Sequence, residues 1–180
     1  VAVMAASVVV VAAAAYGTVF HLMPYLRYRG AVSDMEAGRY EAAQTAFASM
    51  GDYAQAAENE AQCRYLLAVA ELDSGDVDRL QAAEDTLRAL TDIPEAAGQA
   101  DEAAYRRAAM YLTQGKTAEA SALFTALGDY SDSATQVTQC AYVDAEKLLD
   151  AGEYVSAEVA FRMLGDYGDS ADRMREAVYL

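Results

Sequence analysis

Glycine recurs in this chain at a near-constant spacing and in a similar local context. Gly38-Arg39-Tyr40, Gly75-Asp76-Val77, Gly115-Lys116-Thr117 and Gly152-Glu153-Tyr154 stand 37, 40 and 37 residues apart. A second landmark keeps almost the same step: Met50-Gly51-Asp52-Tyr53, Leu90-Thr91-Asp92-Ile93, Leu127-Gly128-Asp129-Tyr130 and Leu164-Gly165-Asp166-Tyr167 are 40, 37 and 37 apart, which places three extra residues between Gly75 and Leu87. Tyr28, Tyr65, Tyr105, Tyr142 and Tyr179 hold a third register, so that ten of the 13 tyrosines fall on repeat positions. A period of this length marks a supersecondary unit that cannot bury its apolar face alone and must stack against its neighbours.

Each unit reads as two helices. Tyr40, Ala43, Phe47 and Met50 follow at steps of 3, 4 and 3, one face of a 3.6-residue helix. The face recurs as Ala83, Leu87 and Leu90, as Ala120, Phe124 and Leu127, and as Ala157, Phe161 and Leu164. Gly51, Gly128 and Gly165 then stand where a left-handed residue ends a helix at little steric cost. A longer helix is expected from the next Asp, because Asp52-x-x-Gln55, Asp92-x-x-Glu95, Asp129-x-x-Asp132 and Asp166-x-x-Asp169 have capping-box spacing. These helices are expected to end near Ser74, Gln114 and Asp150, each stopped by a Gly. Their shared face pairs a small residue with a large one four positions on: Ala31 and Met35, Ala68 and Leu72, Ala108 and Leu112, Ala145 and Leu149.

The pattern Gly-x-Tyr-x-x-Ala-x-x-x-Phe-x-x-Leu, preceded by a helix carrying a small and then a large residue, resembles the tetratricopeptide repeat. The 37-residue period and the Gly-Asp-Tyr-x-Asp-Ser loop, seen best in Gly128–Ala134 and Gly165–Ala171, resemble a lengthened variant from single-pass membrane proteins of Gram-positive, especially clostridial, bacteria. The second unit departs from it, with Thr91-Asp92-Ile93-Pro94 in place of the loop and Val77 in place of the Tyr. The resemblance implies an all-α solenoid of αα-hairpins outside the cytoplasm, with repeats at 28–64, 65–104, 105–141 and 142–178 and a further one starting at 179. In that family a zinc ribbon often precedes the membrane helix, and none stands here.

The N-terminal end is a different physical object. No Lys, Arg, Asp or Glu occurs before Arg27, so the whole formal charge of −15 lies in 27–180. An uncharged run of this length is enough to cross a bilayer core, which takes about 20 apolar residues, and 1–26 is read as a transmembrane anchor. Tyr16, His21 and Tyr25 sit in its second half, where amphipathic rings suit an interface, and Arg27 and Arg29 follow. A cleaved signal peptide ending near Ala13-Ala14-Ala15 is the competing reading. Counting back one repeat places the start of the first long helix at Ala15, so the membrane helix and the first repeat are expected to be one helix, interrupted only at Pro24. Val1 in place of an initiator Met and the unfinished unit at Tyr179-Leu180 predict a segment of a longer protein.

Charge and composition exclude more than they assign. With 13 basic residues against 28 acidic ones there is no basic stripe for nucleic acid. The single His21 lies in the apolar run and leaves a Ser-His-Asp arrangement without a usable base. Asp129/Asp132 and Asp166/Asp169, with Ser133 and Ser170 beside them, have oxygens suited to Ca²⁺, but helix capping accounts for the same residues and for Gln55 and Glu95 as well. Cys63 and Cys140 occupy equivalent positions and read as small buried hydrophobes. The tyrosines read mainly as core. No catalytic, metal or cofactor residue is assigned. The functional expectation is a membrane-anchored, non-catalytic scaffold for a protein or peptide partner, and the alternative is an envelope carbohydrate- or peptidoglycan-binding module using exposed tyrosines.

Overall fold

The computed structural model describes residues 22–179. Among them there are nine α-helices and no strand: α1 (Met23–Glu36), α2 (Tyr40–Ala48), α3 (Ala56–Ala70), α4 (Val77–Ala89), α5 (Ala96–Thr113), α6 (Thr117–Leu127), α7 (Ser133–Asp150), α8 (Tyr154–Leu164) and α9 (Ser170–Tyr179). A short 3₁₀ turn, Glu71–Asp73, follows α3. The all-α expectation holds. Most of the apolar run, His21 included, lies outside the described residues, and with it the expected anchor and its fusion to the first repeat. Among the described residues no helix is long and apolar enough to cross a membrane. Pro24 falls in the first turn of α1, where a missing N–H costs nothing.

Two compact units divide the chain. The first takes in the described residues up to Ala70 together with Leu90–Ile93, and the second takes in Glu71–Ala89 and the residues from Pro94 onward. In the first unit Ala31, Ala43, Phe47, Ala56 and Cys63 form a buried cluster, with Tyr28, Met35, Tyr40 and Met50 packed around it. The second unit repeats that arrangement twice, around Ala108, Ala120, Phe124 and Cys140 and then around Ala145, Ala157, Phe161 and Ala177. Alanine on one helix lets its neighbour approach closely, and the phenyl ring fills the space beyond it. Both cysteines are free and buried.

Three of the long helices end as their glycines predict, whereas α3 stops at Ala70, short of the expected Ser74, and passes into the 3₁₀ turn. At Gly38, φ is +75°; its N–H bonds to Met35 O and that of Arg39 to Asp34 O, the paired bonds of a Schellman motif. Gly115 and Gly152 repeat it, with Lys116 N–H to Tyr111 O and Glu153 N–H to Leu148 O. The second short helix corrects the sequence alignment. It is Leu80, not Val77, that lies three residues before the buried Ala83, as Tyr40 does before Ala43 and Tyr154 before Ala157, and Leu80 is itself buried. The extra three residues are therefore an additional first turn of α4, capped by Asp76, whose Oδ1 accepts the Arg79 N–H at 2.9 Å.

Candidate functional site

The loops joining short to long helices differ from the capping expectation. The long helices begin at Ala56, Ala96, Ser133 and Ser170, four residues after the predicted Asp caps, and neither Glu95 nor Asp132 at the helix boundary makes a side-chain cap bond. Two tight turns occupy the interval. In the first, Leu127 O accepts from Tyr130 N–H across Gly128, whose φ of 59° and ψ of −116° are those of the second residue of a type II′ turn rather than of a left-handed helix cap. Gly165 repeats it at 61° and −120°. The second turn, Tyr130 to Ser133, again has positive φ at its second residue, here Ser131 at 52°; Ala54 and Gly168 hold the same place at 51° and 57°. Pro94 stands at that place in the second repeat, and its ring forbids a positive φ.

The aspartates and serines of these loops have structural partners. Ser133 and Ser170, fully buried, each donate their hydroxyl back to the carbonyl of Tyr130 or Tyr167 at 2.6 Å. Asp132 accepts the Tyr105 hydroxyl at 2.5 Å and the Gln136 amide at 2.9 Å. Asp169 accepts the Tyr142 hydroxyl and lies 3.3 Å from the Arg173 guanidinium. Those bonds hold both carboxyls below the ordinary value, the tyrosine contributing most. The same bonds raise the phenols: Tyr105 goes up, and Tyr142, donating to Asp169 and shielded from water, is pushed up to about 12. In the first unit, where Gln55 replaces the Asp, Tyr28 instead accepts from the Asn59 amide at 3.0 Å.

Each of these tyrosines is also the hub of an aromatic trio. Tyr28 meets Phe47 and Tyr53, Tyr105 meets Phe124 and Tyr130, and Tyr142 meets Phe161 and Tyr167, with centroids 5.5–6.0 Å apart and rings strongly inclined. The third ring donates its own hydroxyl, Tyr130 to Glu102 at 2.8 Å and Tyr167 to Gln139 at 2.7 Å. Burial and that bond push Tyr130 up to about 12. These tyrosines are half-buried rather than fully core, with the ring packed and, in all but Tyr53, the hydroxyl engaged.

Two polar clusters went unread in the sequence. Glu84, only 9% exposed, is held by Arg107 at 2.9 Å and Arg88 at 3.0 Å. At Thr117, which replaces the tyrosine of its sister helices, the hydroxyl bonds to Asp144, and Lys147 Nζ reaches Gly115 O at 2.8 Å, Thr117 at 3.0 Å and Asp144 at 3.0 Å. Both balance their charges within the second unit, although Glu84 Oε2 and Arg107 Nε are buried without a hydrogen bond.

The surface that departs most from its sister repeats lies on α8. Val155, Val159 and Met163, four residues apart in turn, are 78%, 46% and 85% exposed. The equivalent residues, counted from the buried alanine of each short helix, are Glu41, Thr45 and Ser49 on α2, Gln81, Asp85 and Ala89 on α4, and Ala118, Ala122 and Ala126 on α6, all exposed. Beside this stripe an apolar groove of about 400 Å³ runs between α7 and α8, lined by Val137, Thr138, Ala141, Ala160, Met163 and Leu164. The sequence signal was present, since three large apolar residues at helical spacing stand where the other repeats carry polar or small ones. No family model, curated protein or solved structure matches this chain.

Proposed function

We propose that the chain is a non-catalytic, membrane-anchored scaffold. In this reading it is an αα-hairpin solenoid of tetratricopeptide-like repeats, following a transmembrane helix within 1–26, with the array outside the cytoplasm and a protein or peptide partner on its helical surface. The observation that carries the reading is the contrast between the two faces of the short helices. Inward positions repeat Ala43/Phe47, Ala83/Leu87, Ala120/Phe124 and Ala157/Phe161, all buried, whereas outward positions pass from polar to alanine to large apolar. A scaffold needs that division, because stacking fixes the inner face and recognition is left to the outer one. Anchorage draws support from Leu22, Met23, Tyr25 and Leu26, large apolar residues about half exposed, with Arg27 and Arg29 directly after them.

A photo-cross-linking residue placed at Ala122 or Val159 of the full chain, in its native membrane, tests the scaffold reading. Covalent adducts with protein are expected, and adducts with polysaccharide alone, or none, overturn it. One observation favours the carbohydrate alternative. Tyr111, outside the repeat register, borders a polar hollow of about 330 Å³ with Asp76, Asp78, Gln114 and Lys116. Lys116 Nζ lies 5.3 Å from the ring centroid, so a sugar stacking there must displace it. Co-sedimentation with cell-wall polysaccharide, lost in Tyr111→Ala, would favour that reading.

A further inference from the structure

We infer that the α8 stripe and the adjoining groove take an amphipathic helix whose apolar face is flanked by basic residues at both ends. This rests on the scaffold reading and specifies its partner. Three observations carry it.

The first is that the exposure belongs to the repeat geometry. Ala118, Ala122 and Ala126 on α6 occupy the same positions and stay exposed although a complete hairpin follows them. Val155, Val159 and Met163 are thus outward-facing positions on which large apolar side chains have been placed.

The second is shape. A stripe from 155 to 163 covers about 12 Å of helix axis at 1.5 Å per residue, roughly two turns, and the groove lies alongside it. Anchors at i, i+3 or i+4 and i+7 on a second helix match that length, and Met163 supplies a deformable wall.

The third is charge. Within 142–178 the four basic residues are all engaged: Lys147 with Asp144, Arg162 with Glu158, Arg173 with Asp169, Glu176 and Glu146, and Arg175 with Asp172. Nine carboxylates share that segment. Asp150 at the end of α7, Glu153 just before α8 and Asp166 just past its end take part in no ion pair among the described residues, and in sequence they bracket the apolar stripe. An apolar helix with Lys or Arg near both ends meets attraction there; one with acidic ends meets repulsion.

The probe is a Leu/Lys amphipathic peptide of about 14 residues, about 21 Å when helical, titrated by fluorescence anisotropy against the full chain in detergent micelles, with a Leu/Glu peptide of the same apolar pattern beside it. Binding of the Leu/Lys peptide, weakened about tenfold or more by Val159→Glu or Met163→Glu and by raising salt from about 0.05 to about 0.5 M, is the expected result. Both positions are exposed, and an unchanged Tm shows that the variants fold. Equal binding of the Leu/Glu peptide, or no binding of either, overturns the inference. So does Leu/Lys binding that survives Met163→Glu, which moves the contact to another face and leaves the scaffold reading standing. A change of oligomeric state on Met163→Glu without peptide assigns the stripe to a second copy and overturns it too. The scaffold reading fails separately, in the cross-linking experiment.

Discussion

The Tyr105 hydroxyl donates to the Asp132 carboxylate at 2.5 Å, and one repeat further on Tyr142 makes the same bond to Asp169. The loop motif Gly-Asp-Tyr-x-Asp-Ser is thereby tied to the preceding long helix as well as to the first turn of the next one, where Asp132 meets Gln136 and Asp169 meets Arg173.

That bond gives stability a predictable pH profile. The folded carboxyls of Asp132 and Asp169 lie below their ordinary value, so their contribution is full above the unfolded value near 4 and is lost as pH falls through the lower folded value. The phenols are opposite in sign. With Tyr130 and Tyr142 raised to about 12, their contribution is full below the unfolded value near 10 and is lost between about 10 and about 12. Thermal melts across pH should show both edges, and Tyr105→Phe/Tyr142→Phe should flatten the acid one. An unchanged acid edge in that double variant would separate the aspartates from acid stability.

Phe124→Ala and Phe161→Ala should each cost roughly 3–5 kcal/mol, the range for deleting a buried aromatic whose neighbours relax only in part. Both rings are 1% exposed and each lies against the hub tyrosine of its trio. Denaturant unfolding is the measurement, and losses below about 1 kcal/mol would mean that the neighbouring helices close over the void.

Ser131→Gly and Ala54→Gly should stabilise the fold. A left-handed backbone costs a residue with a Cβ roughly 1–2 kcal/mol, against about 0.5–1 kcal/mol of extra chain entropy for glycine, so the net gain is about 0.5–1 kcal/mol. Gly168, at the same turn position, supplies the converse. Its Cβ would meet Tyr142 Cε2 at an ordinary 3.6 Å, so Gly168→Ala should destabilise through backbone strain alone. Melting temperatures of the three variants test the signs together.

At the Glu84–Arg107 pair, removing one partner should hurt more than removing both. Arg107→Ala leaves a nearly buried carboxylate with only Arg88 beside it and should cost about 3 kcal/mol, whereas Glu84→Leu with Arg107→Leu should be close to neutral. A double-mutant cycle by urea unfolding decides it.

Much of this was legible in the sequence because the buried positions repeat. Ala, Phe and Tyr recur at fixed offsets, and the core and helix faces followed from them. The loops misled because Asp-x-x-Asp spacing is shared by a capping box and by two successive tight turns; only backbone angles at Gly128 and Ser131 tell the two apart. Val77 was aligned with the wrong position because an added helical turn preserves periodicity while moving the register, and only the burial of Leu80 corrects it. The α8 stripe is legible too, since the repeat turns Ala157, Phe161 and Leu164 inward and leaves Val155, Val159 and Met163 where the sister helices carry polar or small residues. Neither Glu84 nor Arg107 carries a local signal, since their pairing spans two helices.

The long-range side-chain bonds around the loops at 128–133 and 165–170 all reach backward along the chain. Asp132 is tied to Tyr105, 27 residues before it, and Asp169 to Tyr142, also 27 before; Tyr130 and Tyr167 each reach 28 residues back, to Glu102 and Gln139. During synthesis, which proceeds from the N-terminus, every long-range partner of these two loops is made before the loop itself. The fold can therefore be closed one hairpin at a time as translation proceeds, with these bonds never waiting on a segment not yet made.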